Sequence, residues 1–118
     1  MEQYFIDKLE ELNINYEYRY FDESGQYPYE CDFYLKDTNT FIEINGTGLH
    51  DTHIFDPNNK KDIEQLEYIK SRTDSSWYQS KLRIWLKDKE KYDTAIKNKL
   101  NYYILWNTND IDNFCNKL

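Results

Sequence analysis

The 118-residue sequence has few of the residues that mark special structural classes, with three glycines, two prolines, two cysteines and one methionine. So little glycine and proline excludes collagen-like and low-complexity chains. Cys31 and Cys115 stand far apart without zinc-site spacing, so we expect two isolated thiols rather than a disulfide or a metal pair. No apolar run approaches the roughly 20 residues that a membrane-spanning helix needs.

The N-terminal residues Met1-Glu2-Gln3 lack the basic and apolar regions of a signal peptide. We therefore expect a cytoplasmic protein. The length predicts a single domain over residues 1–118. A hydrophobic content of 39%, with 18% aromatic residues, supplies core material and argues against disorder.

The net charge of −7 argues, taken alone, against nucleic-acid binding, because phosphate contacts favour basic surfaces. The charges are unevenly distributed, however. Residues 1–80 hold 7 basic and 17 acidic side chains, whereas residues 81–100 hold 7 basic and 3 acidic ones. The basic segment could face a polyanion, or it could simply be the solvated face of a helix.

Hydrophobic periodicity predicts an alternation of helices and strands along the chain. Phe5, Leu9 and Leu12 recur at helical spacing, and alternating tyrosines indicate a strand soon afterwards. The predicted helices cover residues 2–12, 58–72, 88–100 and 109–118, the last capped by Thr108 or Asn109, and the predicted strands cover 14–21, 28–36, 40–45, 82–86 and 101–106. This order predicts an α/β fold in which helices flank a mixed central sheet.

Acidic side chains are predicted to gather on one face of two neighbouring strands. Because side chains alternate along a strand, Asp32 should face opposite to Cys31 and Phe33. On the next strand Glu43 and Asn45 should share a face. Two carboxylates facing the same way suit Mg²⁺, which is held by one or two carboxylates plus water and phosphate. The alternative is that these carboxylates only solubilise the surface of a hairpin.

The second of these strands runs into a stretch, FIEINGTGLHDTH, that contains two of the three glycines and both histidines. Gly46 and Gly48 would allow positive φ angles after the strand. His50 and His53 either bond the loop backbone or take part in chemistry, since an unperturbed imidazole pKa of about 6.5 permits acid or base roles near neutrality.

The αβββαβ order, with CDFYL in the second strand and FIEING in the third, resembles the PD-(D/E)xK nuclease superfamily. CDFYL followed by NGTGLH resembles the branch that contains very-short-patch repair endonucleases and related homing endonucleases. IFDPNNKKDIEQL is similar to a segment of small endonuclease-like proteins of bacteriophages. The resemblance covers roughly residues 5–106 and implies a restriction-endonuclease-like core and a metal-dependent DNA endonuclease related to phages or mobile elements.

The resemblance also implies roles for individual residues. Asp32 would be the principal ligand of Mg²⁺ or Mn²⁺, and Glu43 would be a second ligand or would position a metal-bound water. His50 would act as general base or contact the scissile phosphate. Asn45 stands where the superfamily has a lysine and would orient water or substrate. Glu10 matches the acidic residue of the family's first helix, with Glu11 as a near-equal candidate.

Further residues would surround this site. Asp51 and His53 would complete the polar shell of the histidine-containing loop. Basic side chains near the site in chain order would contact DNA phosphates, namely Lys60, Lys61, Lys81 and Arg83. Since no DNA-reading motif is present, either the sequence specificity is low or a homodimer or a protein partner supplies it. The alternative function is a catalytically inactive nuclease fold whose acidic surface docks a protein partner. A third possibility is a phosphodiesterase or structure-specific enzyme that acts on RNA or branched DNA.

Overall fold

A computed structural model describes residues 1–46 and 49–118 of the chain. The elements in chain order are α1 (Glu2–Glu11), β1 (Tyr16–Phe21), β2 (Glu30–Leu35), β3 (Thr40–Ile44), α2 (Lys60–Ser71), α3 (Ser76–Lys97), β4 (Asn101–Leu105) and α4 (Thr108–Cys115). They divide into two compact units, residues 1–46 with 94–118, and residues 47–93. In the part of the chain that the structure describes, no helix is long and apolar enough to cross a membrane.

The first unit contains a four-stranded sheet in the order β1-β2-β3-β4. The first three strands are antiparallel neighbours, and β4 runs parallel to β3. A short 3₁₀ turn, Lys36–Thr38, joins β2 to β3, and Asn39 follows it with a left-handed φ of 51°. Asparagine tolerates this conformation better than most residues. The predicted mixed sheet flanked by helices is therefore confirmed.

Apolar residues cover both faces of this sheet, because Phe41 and Ile42 alternate along β3 and enter different clusters. The larger cluster packs α1 and α4 on one face and contains Phe5, Leu9, Phe33, Leu35, Ile42, Ile44, Leu105, Ile111, Phe114 and Cys115. The cluster on the other face is rich in tyrosine and contains Tyr27, Cys31, Phe41 and Ala95, with Tyr20, Tyr29, Tyr34, Leu100 and Tyr102 packed against them.

The second unit is built on α2 and most of α3, which share a small core around the fully buried Trp85. Leu66 and Ile69 of α2 pack there, joined by Phe55 from the preceding loop. Asn59 caps α2, since its side chain accepts a hydrogen bond from the backbone N–H of Asp62 at 3.1 Å. This is the arrangement that unpaired N–H groups at a helix start require.

The prediction of a strand at residues 82–86 is wrong, because these residues lie within α3. The segment LRIWL is apolar enough to suggest a short buried strand. Yet Tyr78, Leu82 and Trp85 pack into the core at spacings of four and three, whereas Leu86 is 39% exposed. A helical period thus extends through the whole stretch, and it contains neither glycine nor proline to interrupt it.

The predicted cap of α4 is also displaced by one or two residues. Neither Thr108 nor Asn109 caps the helix; the side chain of Asn107 accepts the N–H of Asp110 at 2.8 Å. The Asp110 carboxylate in turn accepts the N–H of Trp106 at 2.9 Å. These reciprocal bonds fix the start of α4 directly after β4.

Candidate functional site

The carboxylates of Asp32 and Glu43 lie where β2 and β3 stop pairing with each other. Backbone pairing of these strands ends at Phe33 and Ile42. Beyond that pair, side-chain carboxylates accept the backbone N–H groups. The N–H of Asp32 donates to Glu43 Oε1 at 2.9 Å, and the N–H of Ile44 donates to Asp32 Oδ2 at 2.8 Å. The structure therefore brings the two predicted carboxylates together, each bonded to the other's strand.

The second oxygen of Glu43 is also bonded within the protein. Tyr27 donates its hydroxyl to Glu43 Oε2 at 2.6 Å and lies 3.0 Å from the hydroxyl of Tyr102. Tyr27 is fully buried, and Glu43 is only 3% exposed. Burial and the neighbouring carboxylate both disfavour a phenolate, so the pKa of Tyr27 is raised far above its ordinary value.

Cys31 does not share a face with Phe33, contrary to the prediction from strand alternation. Cys31 belongs to the tyrosine-rich cluster, whereas Phe33 belongs to the cluster under α1 and α4. The paired strand switches as well, since Tyr18 packs on Phe33 whereas Tyr20 packs against the tyrosine-rich cluster. Between those tyrosines Arg19 has a left-handed φ of 55°. A local backbone distortion thus re-aims the side chains beside Asp32.

Burial also affects the thiol beside this site. The pKa of Cys31 is raised, first by burial and then by the negative charge of Glu43. A thiol with a raised pKa is a poor nucleophile. Cys31 and Cys115 are both buried free cysteines, so neither is joined by a disulfide.

The remaining predicted residues of the first unit occupy different surroundings. Asn45 is 5% exposed, and its backbone N–H donates to the carbonyl of Leu105 at 2.9 Å, which continues the pairing of β3 with β4. Gly46 has no positive φ, and a Cβ there would meet only the Met1 side chain, at 3.9 Å. The backbone therefore does not need glycine at this position. Gly48 lies outside the described residues.

Glu10 lies at the exposed end of α1. Its carboxylate accepts a hydrogen bond from the hydroxyl of Tyr16 at 3.1 Å, which ties the helix to the start of β1. Glu11, the alternative candidate, is also exposed. The contact of Glu10 is that of a surface residue joining two elements.

In the second unit His50 is held by a buried carboxylate that the sequence did not single out. His50 Nδ1 lies 2.6 Å from Asp88 Oδ2 on α3, and the two side chains are 33% and 6% exposed. Because a carboxylate accepts hydrogen bonds, this contact favours a proton on Nδ1 and a basic lone pair on Nε2. The contact with Asp88 thus holds a partly exposed imidazole in one orientation.

His53 forms a second histidine–aspartate pair in the same unit. Its Nε2 lies 2.8 Å from Asp62 Oδ1, and its Nδ1 lies 3.4 Å from Asp51 Oδ1. Trp85 donates its indole N–H to the carbonyl of His53 at 3.0 Å. The loop is thus fastened to both helices of the unit. His53 and Asp51 belong to one polar network.

Asp51 is the centre of that network. Burial raises its pKa, but hydrogen bonds from the Thr52 N–H at 2.7 Å and the Gln65 amide at 2.6 Å outweigh burial, so the pKa is lower than its ordinary value. Lys81 Nζ lies 3.5 Å from Asp51 Oδ2, and this lysine side chain is 13% exposed. The Lys81 ammonium therefore interacts with Asp51, and it would have to leave this carboxylate to contact a phosphate.

The other predicted phosphate contacts lie at the surface. Lys60, Lys61 and Arg83 are exposed, with Lys60 4.0 Å from Glu64 across one helical turn. An exposed pair of this kind is weak and leaves the lysine able to exchange partners. Among the described residues, no group of three or more histidine, cysteine, aspartate or glutamate side chains is arranged to hold a metal ion.

Two residues that matter to these arrangements were not found from the sequence. Asp88 stands three residues after Trp85, so an unbroken helix over this segment would have placed it on the buried side; the predicted strand at 82–86 hid that signal. Tyr27 lies between strands in a tyrosine-rich segment, and no local pattern distinguishes it from its neighbours. Its contact with Glu43 depends on tertiary structure alone.

Comparisons with protein-family models, with curated proteins and with solved structures gave no match to this chain.

Proposed function

We propose that this protein is a metal-dependent endonuclease that hydrolyses phosphodiester bonds of DNA on a restriction-endonuclease-like core. The observation that carries the proposal is the His50–Asp88 pair, with 2.6 Å between Nδ1 and Oδ2. A general base must be oriented and must present a basic nitrogen near neutral pH. The buried Asp88 carboxylate orients the His50 ring, which is the first of these requirements.

The first unit supplies the carboxylate chemistry of the proposal. Asp32 is half-buried, and its carboxylate accepts the Ile44 N–H. Under the proposal this carboxylate is the protein ligand of a cation that completes its shell with water and phosphate. Glu43, buried and bonded to Tyr27, supports the backbone of Asp32. When bound, Mg²⁺ or Mn²⁺ would supply Lewis-acid stabilisation of charge on the phosphate.

The residue at the lysine position of the superfamily motif is Asn45, which is uncharged and 5% exposed. Under the proposal no lysine activates the attacking water, and His50 takes the proton instead. The catalytic contribution of a positioned base is about 10²- to 10⁴-fold. His50→Ala should therefore lower the cleavage rate by that factor, and its unfolding curve separates this effect from the stability lost when the buried Asp88 loses its partner.

The test is nicking of supercoiled plasmid in Mg²⁺, Mn²⁺ or EDTA by the wild type and by Asp32→Asn, His50→Ala and Asp88→Asn. Metal-dependent nicking that all three variants lose would support the proposal. Asp93→Asn is the matched control, since Asp93 lies on the same helix but is exposed and bonded to Lys89 at 2.7 Å. Equal activity of Asp88→Asn and Asp93→Asn would remove the role of the His50–Asp88 pair.

A second candidate function is an inactive nuclease fold that docks a basic protein partner. It is favoured by Glu43, whose two oxygens both accept hydrogen bonds within the protein, and by the net charge of −7. Thermal stability in Mg²⁺ separates the two candidates, because a ligand that binds only the native state raises its stability. A melting temperature that rises with Mg²⁺ in the wild type but not in Asp32→Asn favours the enzyme. No nicking and no such rise favours the docking module.

A further inference from the structure

Three aromatic rings form a surface cluster in the second unit. Tyr68 of α2 is 51% exposed and Trp77 at the start of α3 is 48% exposed, whereas Tyr78 between them is half-buried. The ring of Tyr78 meets those of Tyr68 and Trp77 edge-on, with centroids 5.7 and 5.0 Å apart. The buried edge of Tyr78 belongs to the core, but the two outer rings present their area to solvent.

Cations lie against these same rings. The guanidinium of Arg72 is 4.9 Å from the Tyr78 centroid and 5.9 Å from the Tyr68 centroid, and its Nη1 donates to the Tyr68 hydroxyl at 2.9 Å. Lys81 Nζ lies 5.5 Å from the centroid of Trp77. We call Tyr68, Arg72, Trp77, Tyr78 and Lys81 the aromatic–cationic patch.

The patch lies in a basic stretch of an acidic protein. Residues 68–87 contain five basic side chains and one acidic side chain, in a chain whose net charge is −7. The acidic residue, Asp74, is bonded to Arg72 at 3.3 Å, and Lys81 is paired with Asp51. Of the other three basic side chains, Lys70 and Arg83 are exposed, and Lys87 Nζ lies 2.9 Å from Glu90 Oε2. An anionic ligand is therefore favoured here over a basic one.

We propose that the aromatic–cationic patch binds single-stranded nucleic acid by stacking unpaired bases on Trp77 and Tyr68 while Arg72 and the neighbouring exposed cations contact the phosphates. Exposed aromatic rings interleaved with basic side chains are the usual means of holding single strands. In a duplex the base faces are already stacked, so the same rings would gain little. The inference rests on the proposed function for its ligand class, and it deepens that function by naming unpaired regions of the substrate.

The test measures binding apart from cleavage. Fluorescence anisotropy of a short fluorescein-labelled oligothymidylate is recorded in EDTA, with Asp32→Asn as the parent protein so that nicking does not interfere. Trp77→Ala should weaken binding about 5- to 150-fold, which is the range for loss of one stacked base. Trp77→Phe should restore most of the affinity, because it keeps a stacking ring. Tyr68→Ala provides a second variant, at a different element of the patch.

Phe21→Ala is the matched control, since Phe21 is 59% exposed but is followed by acidic Asp22 and Glu23 rather than by basic residues. Its affinity should equal that of the parent. Unfolding curves of all variants establish that the exposed substitutions leave the fold intact. If Trp77→Ala and Tyr68→Ala both bind like Phe21→Ala, the proposal is overturned.

Two further outcomes are decisive. Binding of a matching duplex as tightly as the single strand, or binding of a proline-rich peptide in place of the oligonucleotide, would overturn the proposal. Nicking of plasmid by the wild type is measured separately from binding, so that the nuclease proposal and the patch proposal can fail independently. Single-strand binding that depends on Trp77 without any nicking supports the patch and removes the nuclease. Nicking without any dependence of binding on Trp77 or Tyr68 keeps the nuclease and removes the patch.

Discussion

Removal of the Tyr27 hydroxyl tests how firmly the protein holds Glu43. The hydroxyl donates to Glu43 Oε2 at 2.6 Å in surroundings where Glu43 is 3% exposed, so no water can readily replace it. Hydrogen bonds to charged groups contribute about 1.5 to 3 kcal/mol. Tyr27→Phe should therefore lower the free energy of unfolding by roughly that amount, and the melting temperature by on the order of 5 to 15 °C.

Urea denaturation of Tyr27→Phe, Glu43→Gln and the double variant measures the pair directly. A coupling energy of about 1 kcal/mol or more is expected, since residues in one hydrogen-bonded network are not additive. Tyr29→Phe is the control, because its hydroxyl meets the neutral Thr94 Oγ1 at 3.2 Å and should contribute about 1 kcal/mol or less. Additive single variants, or a larger loss in Tyr29→Phe, would refute the assignment of Glu43 to a structural bond.

Three other predictions concern stability. Because the pKa of Asp51 is lowered, its contribution to the free energy of unfolding is present above its ordinary pKa of 3.8 and is lost as pH falls through the folded value. The urea midpoint of Asp51→Asn should therefore change less than that of the wild type between about pH 5 and about pH 2. Asn107→Ala should cost about 1 kcal/mol in thermal unfolding, and Thr108→Ala much less, since only Asn107 caps α4. Trp85→Phe should cost roughly 1 to 3 kcal/mol in urea unfolding, as it loses both volume and the hydrogen bond to His53.

The fold could be predicted from the sequence wherever the hydrophobic period was clear over a whole element. The hydrophobic period predicts α1 over residues 2–12, and the helix lies at Glu2–Glu11 with Phe5 and Leu9 as its buried residues. The prediction for residues 82–86 is wrong because five residues with four apolar side chains fit the period of a buried strand as well as that of a helix. Only the longer context, with Tyr78 before it and Asp88 after it, shows the helical period.

The pairing of Asp32 with Glu43 was predictable for a different reason. A hairpin with a short turn fixes its register, so residues equally distant from the turn must become neighbours. Strand alternation could not show the distortion at Arg19, a non-glycine residue with a left-handed φ. At this point the side chains of β1 and β2 change the face of the sheet on which they lie. Nor could alternation show that Glu43 would be buried against Tyr27, since that contact joins residues 16 positions apart outside regular pairing.

The end of the β2–β3 pairing separates the roles of the two carboxylates. Each carboxylate accepts a backbone N–H that has no backbone carbonyl opposite it at this end of the strands. Glu43, however, is almost fully buried, whereas Asp32 is half-buried. A buried carboxylate bonded at both oxygens has little freedom to take up a cation, because any new ligand must displace a hydrogen bond. The Asp32 carboxylate accepts the Ile44 N–H at 2.8 Å. Asparagine at 32 retains an oxygen for the Ile44 N–H, so Asp32→Asn removes the charge with the least change to the strand and isolates its chemical role.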